Sequence, residues 1–355
     1  MAHCVHFGIC GGCAVDNRAA LDKARLLRDA LARAGYADAP VAPLVEVPAG
    51  TRRRVDLAVT RKGAELALGL HKARGEEVVD MRECALLRPE FLPLLPPLRE
   101  LLRSLTGLRR AGGVVINWLE NGPDILLRLD AECALPDRRR IVEFAKTHGA
   151  PRICVAVGRD APEPVAVLQP PRISFGGVAV TPPPGGFLQA SAEGEAAIIS
   201  AVLAGLPKLT NKARIVELFA GAGTLSFPLA AHARVEAYEG DEPTCAAAEA
   251  AARAAGLAGR LSFTRRDLHR RPLQPADMAK AAAVVLDPPY AGAAAQMRFI
   301  VMSNVPRVIY VSCNPDALAA DAGQLRRAGY KVLAATPIDQ FPYSGNLESV
   351  VVLGR

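Results

Sequence analysis

The chain has 355 residues, half of them hydrophobic, a size that suits two domains and a smaller third element. Its net charge of +7 favours a polyanionic partner without requiring one. No apolar run reaches the roughly 18 residues that a membrane-spanning helix needs. The N-terminus also lacks the features of a signal peptide. We therefore expect a cytoplasmic protein with no membrane partner.

The eight cysteines are unevenly distributed. Cys4, Cys10 and Cys13 lie among glycines at the N-terminus, and Cys84 follows much later. Disulfides are rare in cytosolic proteins, so these thiols suit metal ligation. Spacing alone leaves zinc, an iron–sulfur cluster and the reduced metal-free state open. Three others lie in apolar or alanine-rich surroundings and are interpreted as packing residues: Cys133, Cys154 and Cys245.

The first half of the chain predicts a helix followed by a mostly antiparallel sheet. Leucines recur at helical spacing from Asp16 to Ala34, and Gly35 ends that pattern. Short β-like runs separated by turns then extend to about residue 180. They lie at 55–60, 64–71, 114–119, 125–129, 153–157 and 165–168. The Leu/Pro-rich segment from Phe91 to Leu105 is predicted to be helical, and the proline-glycine run at 181–186 marks a boundary.

The second half predicts an α/β fold with a doubly wound, mostly parallel sheet of seven strands. A helix at about 191–204 leads into apolar strands that alternate with alanine-rich helices. The strands lie near 214–219, 234–239, 261–264, 283–286, 307–312, 331–335 and 348–353. We therefore expect three parts, which are residues 1–38 with the cysteines and a helix, 39–184 with the central sheet, and 185–355 with a Rossmann-like domain.

A glycine-rich loop follows the first strand of that last domain. The glycines Gly221 and Gly223 let the backbone approach a ligand closely. Glu239 ends the next strand, where a carboxylate can bind ribose hydroxyls, and Asp267 follows the third strand on the expected adenine side. The alternative is a simple tight turn beside an exposed carboxylate. Since the third glycine of the dinucleotide fingerprint and a Walker lysine are missing, the pattern favours S-adenosylmethionine over NAD.

Three reactive side chains lie at predicted strand ends. Cys313 follows a β-branched run and precedes an Asn-Pro pair, Asp287 precedes Pro-Pro-Tyr, and Glu348 opens the last strand. Open α/β sheets bind ligands at the carboxyl ends of their strands. A thiol and two carboxylates there suggest covalent catalysis, against the alternative that a lone strand-end cysteine is an inert packing residue.

Over nearly its whole length the chain resembles the bacterial RNA uracil-5 methyltransferases. The resembling motifs occur in the family order, which is Cys4-x5-Cys10-x2-Cys13, Cys84, Phe187-Leu188-Gln189, the loop Glu217–Thr224, Asp287-Pro288-Pro289, Ser312-Cys313-Asn314-Pro315 and Glu348. The most similar subgroup comprises 23S rRNA enzymes that carry an iron–sulfur cluster and lack the N-terminal TRAM barrel, so no such barrel is expected. Enzymes of the tRNA branch normally lack the cysteine set.

The resemblance implies methylation of uracil at C5, with Cys313 as nucleophile and Glu348 as proton acceptor. It implies a 4Fe–4S cluster on Cys4, Cys10, Cys13 and Cys84. It implies contacts to S-adenosylmethionine from Gln189, Phe219, Thr224, Glu239 and Asp287. It also implies that residues 39–184 bind RNA, that 185–355 form the methyltransferase domain, and that the protein acts as a monomer on 23S rRNA.

Two residues depart from the family pattern. Tyr290 replaces the usual arginine after Pro-Pro, and the resulting Asp-Pro-Pro-Tyr resembles a segment of amine-directed methyltransferases. Asn346 replaces a frequent histidine. Amine methylation needs neither a thiol nor a second proton transfer, so Cys313 and Glu348 favour methylation at carbon.

RNA contacts and two other functions complete the sequence-based hypotheses. A base flipped out of folded RNA could stack on Phe187, Tyr290 or Phe341. Two arginine runs, 52–54 and 138–140, could neutralise phosphates or simply be solvated. The other functions are a tRNA uracil-5 methyltransferase and a non-catalytic iron–sulfur RNA-binding protein, and the latter would need neither the thiol nor the carboxylate.

Overall fold

The N-terminal segment contributes a short 3₁₀ helix (Arg18–Ala20), one α-helix and one short strand. The computed structural model describes residues 4–210 and 212–355. Helix α1 (Lys23–Arg33) begins later than the leucine pattern predicts, because Asp22 caps it by accepting a hydrogen bond from the backbone N–H of Arg25. Its buried Leu27 and Leu31 pack against the sheet of the C-terminal part, which is described below. Strand β1 (Val45–Glu46) joins that same sheet.

The central part is a seven-stranded sheet covered by two helices. Its elements are β2 (Arg54–Lys62), β3 (Glu65–His71), β4 (Val78–Asp80), α2 (Phe91–Ser104), β5 (Ala111–Leu119), β6 (Gly122–Leu129), α3 (Leu135–His148), β7 (Arg152–Val157) and β8 (Glu163–Val167). The strand order is β4-β3-β2-β5-β6-β7-β8, and every pair is antiparallel except β6 and β7, between which α3 crosses over. The predicted antiparallel sheet and the predicted helix at Phe91 are therefore confirmed, whereas α3 was not predicted.

A small hairpin connects the two sheets. Strands β9 (Ile173–Phe175) and β10 (Val178–Val180) pair with each other, and their apolar side chains join the core of the second sheet. Gly176 in the turn has φ of 55°, and a Cβ there would lie 2.9 Å from the backbone nitrogen of Pro228. Only glycine lets the hairpin lie this close to that backbone.

The C-terminal part is the predicted α/β sheet with helices on both faces. Its elements are α4 (Ala192–Ala204), β11 (Arg214–Leu218), α5 (Ser226–Ala230), β12 (Arg234–Glu239), α6 (Glu242–Ala254), β13 (Leu261–Arg265), α7 (Pro275–Met278), β14 (Ala283–Leu286), α8 (Ala294–Ser303), β15 (Arg307–Ser312), α9 (Pro315–Arg327), β16 (Lys331–Asp339) and β17 (Glu348–Gly354).

The order of this sheet is β1-β16-β17-β15-β14-β11-β12-β13. It has eight strands in the described residues rather than the seven predicted, because β1 from the N-terminal segment pairs in parallel with β16. A two-residue strand is too short to produce a sequence pattern. Strand β17 runs antiparallel to both of its neighbours, and the other pairs are parallel. None of the helices in the described part combines the length and apolar character needed to cross a membrane.

Buried ion pairs join the three parts. The carboxylate of Asp339, at the end of β16, accepts hydrogen bonds from Lys23 Nζ and from Arg18 Nε, the latter at 2.6 Å. The side chains of Lys23 and Asp339 are each 1% exposed. Arg53, which immediately precedes β2 of the central sheet, pairs with the buried Glu195 of α4 at 2.6 Å. Removing one partner of such a pair would leave the other charge buried, so these contacts hold the chain segments around the site in place.

Candidate active site

Four strand ends meet at one edge of the C-terminal sheet. Strands β11, β14 and β15 are parallel neighbours, so the residues that follow them share the carboxyl edge. Phe219, Asp287 and Cys313 are those residues. Strand β17 is antiparallel to β15, with Ser312 opposite Ser349, so continuing the register by one residue brings Glu348 opposite Cys313. The sheet therefore gathers the predicted nucleophile, proton acceptor and cofactor carboxylate.

The glycine loop after β11 adopts a conformation that requires its glycines. Gly221 and Gly223 have φ of 55° and 94°, and a Cβ on Gly223 would lie 2.5 Å from the ring of Phe227. The Glu239 carboxylate accepts hydrogen bonds from the backbone N–H groups of Gly221 at 2.8 Å and Asp241 at 2.7 Å. Glu239 thus lies against the loop, where the sequence predicts it to contact the cofactor ribose.

Three carboxyl groups in this site lack compensating charge. Burial raises the pKa of Glu217 to about 8 and that of Asp287 to about 7, and burial followed by the nearby Asp287 charge raises the pKa of Glu348. In the part of the chain that the structure describes, Glu217 Oε2 and Glu348 Oε1 have no hydrogen-bond partner. Carboxylates in this state favour a cation. The sulfonium and ammonium groups of S-adenosylmethionine fit that requirement.

Glu217 is a site residue that the sequence reasoning did not single out. It lies within β11 and is 1% exposed. The available signal was a charged residue inside an apolar strand, since glutamate is rarely fully buried without a partner.

Two buried amides connect the carboxylates. Gln189 donates through Nε2 to Asp287 Oδ2 at 3.3 Å, so two predicted cofactor residues are in contact. Gln340 donates through Nε2 to Gln189 Oε1 at 2.9 Å and to Glu348 Oε2 at 2.8 Å. No sequence motif indicated Gln340, because its partners are brought to it only by the fold.

Cys313 lies half-buried beside an open cavity of about 450 Å³. Burial, then the charges of Glu348 and Asp287, raises the pKa of its thiol to about 11. The next residue, Asn314, caps α9 through its Oδ1 and donates from Nδ2 to the backbone oxygen of Tyr290 at 2.8 Å. The Asn-Pro pair therefore ends the strand and holds the Pro-Pro-Tyr loop next to the thiol.

Three further residues predicted to contact the cofactor lie in the loops after β11 and β13. Asp267 Oδ1 accepts hydrogen bonds from the N–H groups of its own turn, at His269 and Arg270, and the His269 ring lies 5.5 Å from that of Phe219. Thr224 belongs to the glycine loop. Contact of these residues with the cofactor stays a prediction.

The aromatic residues predicted to stack on a base differ in exposure, and the arginines at 52–54 lie in different environments. Phe187 and Tyr290 are each 68% exposed, whereas Phe341 is half-buried. The phosphate-binding hypothesis is wrong for Arg53, whose side chain is buried against Glu195. Arg54 lies 5.8 Å from the ring of Phe187.

The second arginine run is largely paired with acidic side chains. Arg138 forms an ion pair with Glu163 at 2.7 Å, and Arg140 forms one with Asp137 at 3.0 Å. These ion pairs favour the alternative that the run is a solvated surface rather than a phosphate-binding site.

The four cysteines predicted to bind a metal line a second cavity, of about 470 Å³, together with Arg52 and His6. They are Cys4, Cys10, Cys13 and Cys84. Burial and then the proximity of the other three raises the pKa of Cys13 to about 11. Within residues 4–210 and 212–355, no three His, Cys, Asp or Glu side chains are grouped closely enough to hold one metal ion. The remaining cysteines, Cys133, Cys154 and Cys245, are buried as predicted.

The fold and this site define the protein as a methyltransferase with an α/β cofactor domain. A family model described as tRNA (uracil-5-)-methyltransferase matches residues 184–355. The crystal structure of the Pyrococcus abyssi tRNA (uracil-54, C5)-methyltransferase in complex with S-adenosyl-L-homocysteine shares the fold, with a TM-score of 0.72 and 19% identity over 93% of this chain and 81% of that one.

Two curated relatives extend the match over almost the whole sequence. An uncharacterized RNA methyltransferase of Brucella suis is 35% identical, covering 99% of this chain and 84% of its own. The 23S rRNA (uracil(1939)-C(5))-methyltransferase RlmD of Klebsiella pneumoniae is 32% identical, covering 99% of this chain and 81% of its own. The chain therefore belongs to the RNA uracil-5 methyltransferase family.

The high pKa of Cys313 predicts how its reactivity depends on pH. With a pKa of about 11, the thiolate fraction and hence the alkylation rate should rise about tenfold per pH unit from pH 7 to 10 in the ligand-free protein. Cationic S-adenosylmethionine should lower this pKa, and neutral S-adenosylhomocysteine should lower it less, although both shield the site similarly.

The measurement is iodoacetamide labelling of the Cys313 peptide followed by mass spectrometry, with Cys313→Ser as the control that identifies the peptide. A rate that levels off below pH 9 in the ligand-free protein would show that the thiol is not held protonated.

Proposed function

We propose that this protein methylates C5 of a uridine in 23S rRNA through a covalent bond to Cys313, with Glu348 as the proton acceptor. The observation that supports this most directly is the register of β15 and β17, which sets Cys313 opposite Glu348 beside Asp287. A thiol and a free carboxylate oxygen at one strand edge are the two groups that methylation of a pyrimidine carbon needs.

Each group has a defined task in this chemistry. Uracil C5 is a poor nucleophile until the Cys313 thiolate adds to C6, which moves an electron pair toward C5. When bound, S-adenosylmethionine supplies the methyl group to that carbon. Glu348 then takes the C5 proton, the C5–H electron pair re-forms the C5=C6 double bond, and the Cys313 sulfur leaves C6. The protein is regenerated once Glu348 loses its proton.

The acidic surroundings support binding of a cationic cofactor. The Asp287 charge raises the pKa of both Glu217 and Glu348, and burial disfavours the charged forms of all three carboxyl groups. A sulfonium beside them offsets that cost and favours the ionised state that Glu348 needs as a base. Gln189, Phe219, Gly221, Gly223, Thr224, Glu239, Asp267 and Asp287 are the residues proposed to hold the cofactor.

The choice of 23S rRNA rests on the cysteines and on the RlmD relative. Four thiols line one cavity. RlmD of Klebsiella pneumoniae matches 99% of the present chain. A tRNA substrate is the second candidate, favoured by the fold shared with the Pyrococcus abyssi tRNA enzyme. Tyr290 next to the thiol does not redirect the chemistry to an amine, because amine methylation would leave Cys313 and Glu348 unused.

We further propose that Cys4, Cys10, Cys13 and Cys84 hold a 4Fe–4S cluster. Four thiols around one cavity match the ligand set. Each cysteine thiolate would bind a different iron, so these thiols need not be grouped as closely as the ligands of a single metal ion. The residues just after Cys13 are tied to the catalytic region, since the N–H groups of Ala14 and Val15 donate to the Tyr343 oxygen. The cluster would supply a structural link there, and no step of the methylation passes through it.

Substitutions of the two proposed catalytic residues should block the reaction at different steps. Cys313→Ala removes the nucleophile, so neither a covalent RNA adduct nor 5-methyluridine should form. Glu348→Gln keeps the nucleophile and methyl transfer but loses the proton acceptor, so the methylated RNA should stay bonded to Cys313. General bases typically contribute 10²- to 10⁴-fold, and product release by Glu348→Gln should fall by roughly that factor.

Denaturing gels with labelled RNA and S-adenosylmethionine test this, using 23S rRNA and tRNA fragments in parallel. A shifted band is expected for Glu348→Gln with the 23S fragment and none for Cys313→Ala. Normal 5-methyluridine formation by Cys313→Ala would refute the mechanism, and adducts with tRNA alone would refute the substrate assignment.

Cluster loading is tested by metal analysis of anaerobically purified protein. We expect a brown protein with about four iron atoms per chain, as four-thiolate clusters contain. Cys84→Ser should lose most of the iron, and Cys133→Ser should retain it because Cys133 is buried elsewhere. Stoichiometric zinc without iron, or equal iron in both variants, would overturn the assignment.

A further inference from the structure

Gln340 is the buried polar residue that contacts the proposed proton acceptor directly. It follows the last residue of β16 and is 5% exposed. Its Nε2 donates to Glu348 Oε2 at 2.8 Å and to Gln189 Oε1 at 2.9 Å. Neither the sequence motifs nor the family comparisons assign it a role.

This contact leaves the two oxygens of Glu348 in different states. Oε2 is held by the Gln340 amide, whereas Oε1 is buried and has no partner among the described residues. The pairing of Ile338 with Glu348 fixes the backbone of β17 at this point. With the backbone and one oxygen fixed, the direction of the free oxygen is fixed as well.

The position of Gln340 is itself determined by the structure around it. The preceding Asp339 is ion-paired with Lys23 and Arg18, which holds the end of β16. On the other side, Gly194 of α4 has no side chain, and a Cβ there would lie 2.7 Å from Gln340 Oε1 and 2.9 Å from Gln340 Cβ. The glycine therefore leaves the space that the amide occupies.

We propose that Gln340 is a positioning residue for proton removal, which fixes Glu348 so that Oε1 faces the C5 hydrogen. This inference rests on the proposed function. The step it serves is the breaking of the C5–H bond, in which the proton goes to Glu348 Oε1 and the electron pair re-forms C5=C6 as the Cys313 sulfur leaves. Gln340 also donates to Gln189, a residue proposed to hold the cofactor, so both steps are measured with saturating S-adenosylmethionine.

The charges around Glu348 give this role a pH signature. Asp287 follows β14 and Cys313 follows β15, and these are the titratable groups that face Glu348 from neighbouring strands. Burial and the Asp287 charge raise the pKa of Glu348, and the Gln340 hydrogen bond lowers it. Loss of that bond raises the pKa further, so the acid limb of the proton-removal rate should move to higher pH.

Gln340→Met is the first test, because methionine keeps the length of the side chain and removes the donor. With saturating S-adenosylmethionine, which offsets any weaker cofactor binding through Gln189, methyl transfer in the first turnover should stay near the wild-type rate. Release of the C5 proton should slow by roughly tenfold or more, within the range that a general base supplies. The methylated adduct on Cys313 should accumulate, and RNA with deuterium at C5 should show a larger isotope effect than with wild type.

Gly194→Ala is the second test, and it changes neither Gln340 nor Glu348 chemically. Alanine is a better helix former than glycine, so α4 should be retained while the new methyl group displaces the Gln340 amide. If its effect runs through Gln340, Gly194→Ala should slow proton release alone but add nothing in the Gln340→Met background.

The outcomes separate this inference from the proposed function. Equal losses of methyl transfer and proton release in Gln340→Met, or no loss of either, would overturn the role of Gln340. Additive effects of the two substitutions would overturn it as well. If Glu348→Gln traps an adduct and Gln340→Met does not, only this inference fails, whereas absence of an adduct from Glu348→Gln contradicts the proposed function itself.

Discussion

The insertion of β17 between β15 and β16 is the constraint on which the site depends. Because β17 is antiparallel to both neighbours, its first residue lies at the edge where the parallel strands end. Glu348 therefore reaches Cys313, although the two residues are 35 positions apart in the sequence. A register shift of one residue would turn Glu348 to the other face of the sheet and separate the two groups. The chemistry thus depends on backbone pairing before any side-chain contact is considered.

The second constraint is electrostatic. Among the described residues, the site collects Glu217, Asp287 and Glu348 with no cationic side chain that offsets their burial, and burial raises the pKa of each. The same surroundings hold the Cys313 thiol protonated. A cationic cofactor changes all four groups in the direction that catalysis needs, since it favours three carboxylates and one thiolate together. Under the proposed mechanism, the ligand-free protein is therefore the less reactive state, and cofactor binding is coupled to activation of the nucleophile.

The features that the sequence predicts are those written in short local patterns. The strands of the α/β sheet are apolar runs that end at turns. The site residues lie at those ends and could be located without a structure, and they are the glycine loop, Asp287, Cys313 and Glu348. The short strand β1 and the hairpin β9–β10 could not be predicted, because their pairing is set by distant segments.

Side-chain roles were harder to predict where the partner is remote. Arg53 lies in a run of three arginines that suggests a phosphate-binding surface, yet its neighbour in space is Glu195. Gln340 lies outside every motif, and Glu217 was not singled out within the motif that it opens. Only the fold brings these two side chains to Asp287 and Glu348. Sequence patterns thus locate the reacting groups, and the contacts that orient those groups depend on tertiary structure.

The most direct test of covalent C5 methylation uses RNA with 5-fluorouridine in place of the target uridine. Fluorine at C5 cannot leave as a proton, so the reaction should stop after methyl transfer with the S–C6 bond intact. Mass spectrometry of the wild-type protein should then show one chain joined to one RNA carrying one added methyl group, with the bond at Cys313. An adduct without the methyl group, a bond to another residue, or no adduct at all would contradict the account.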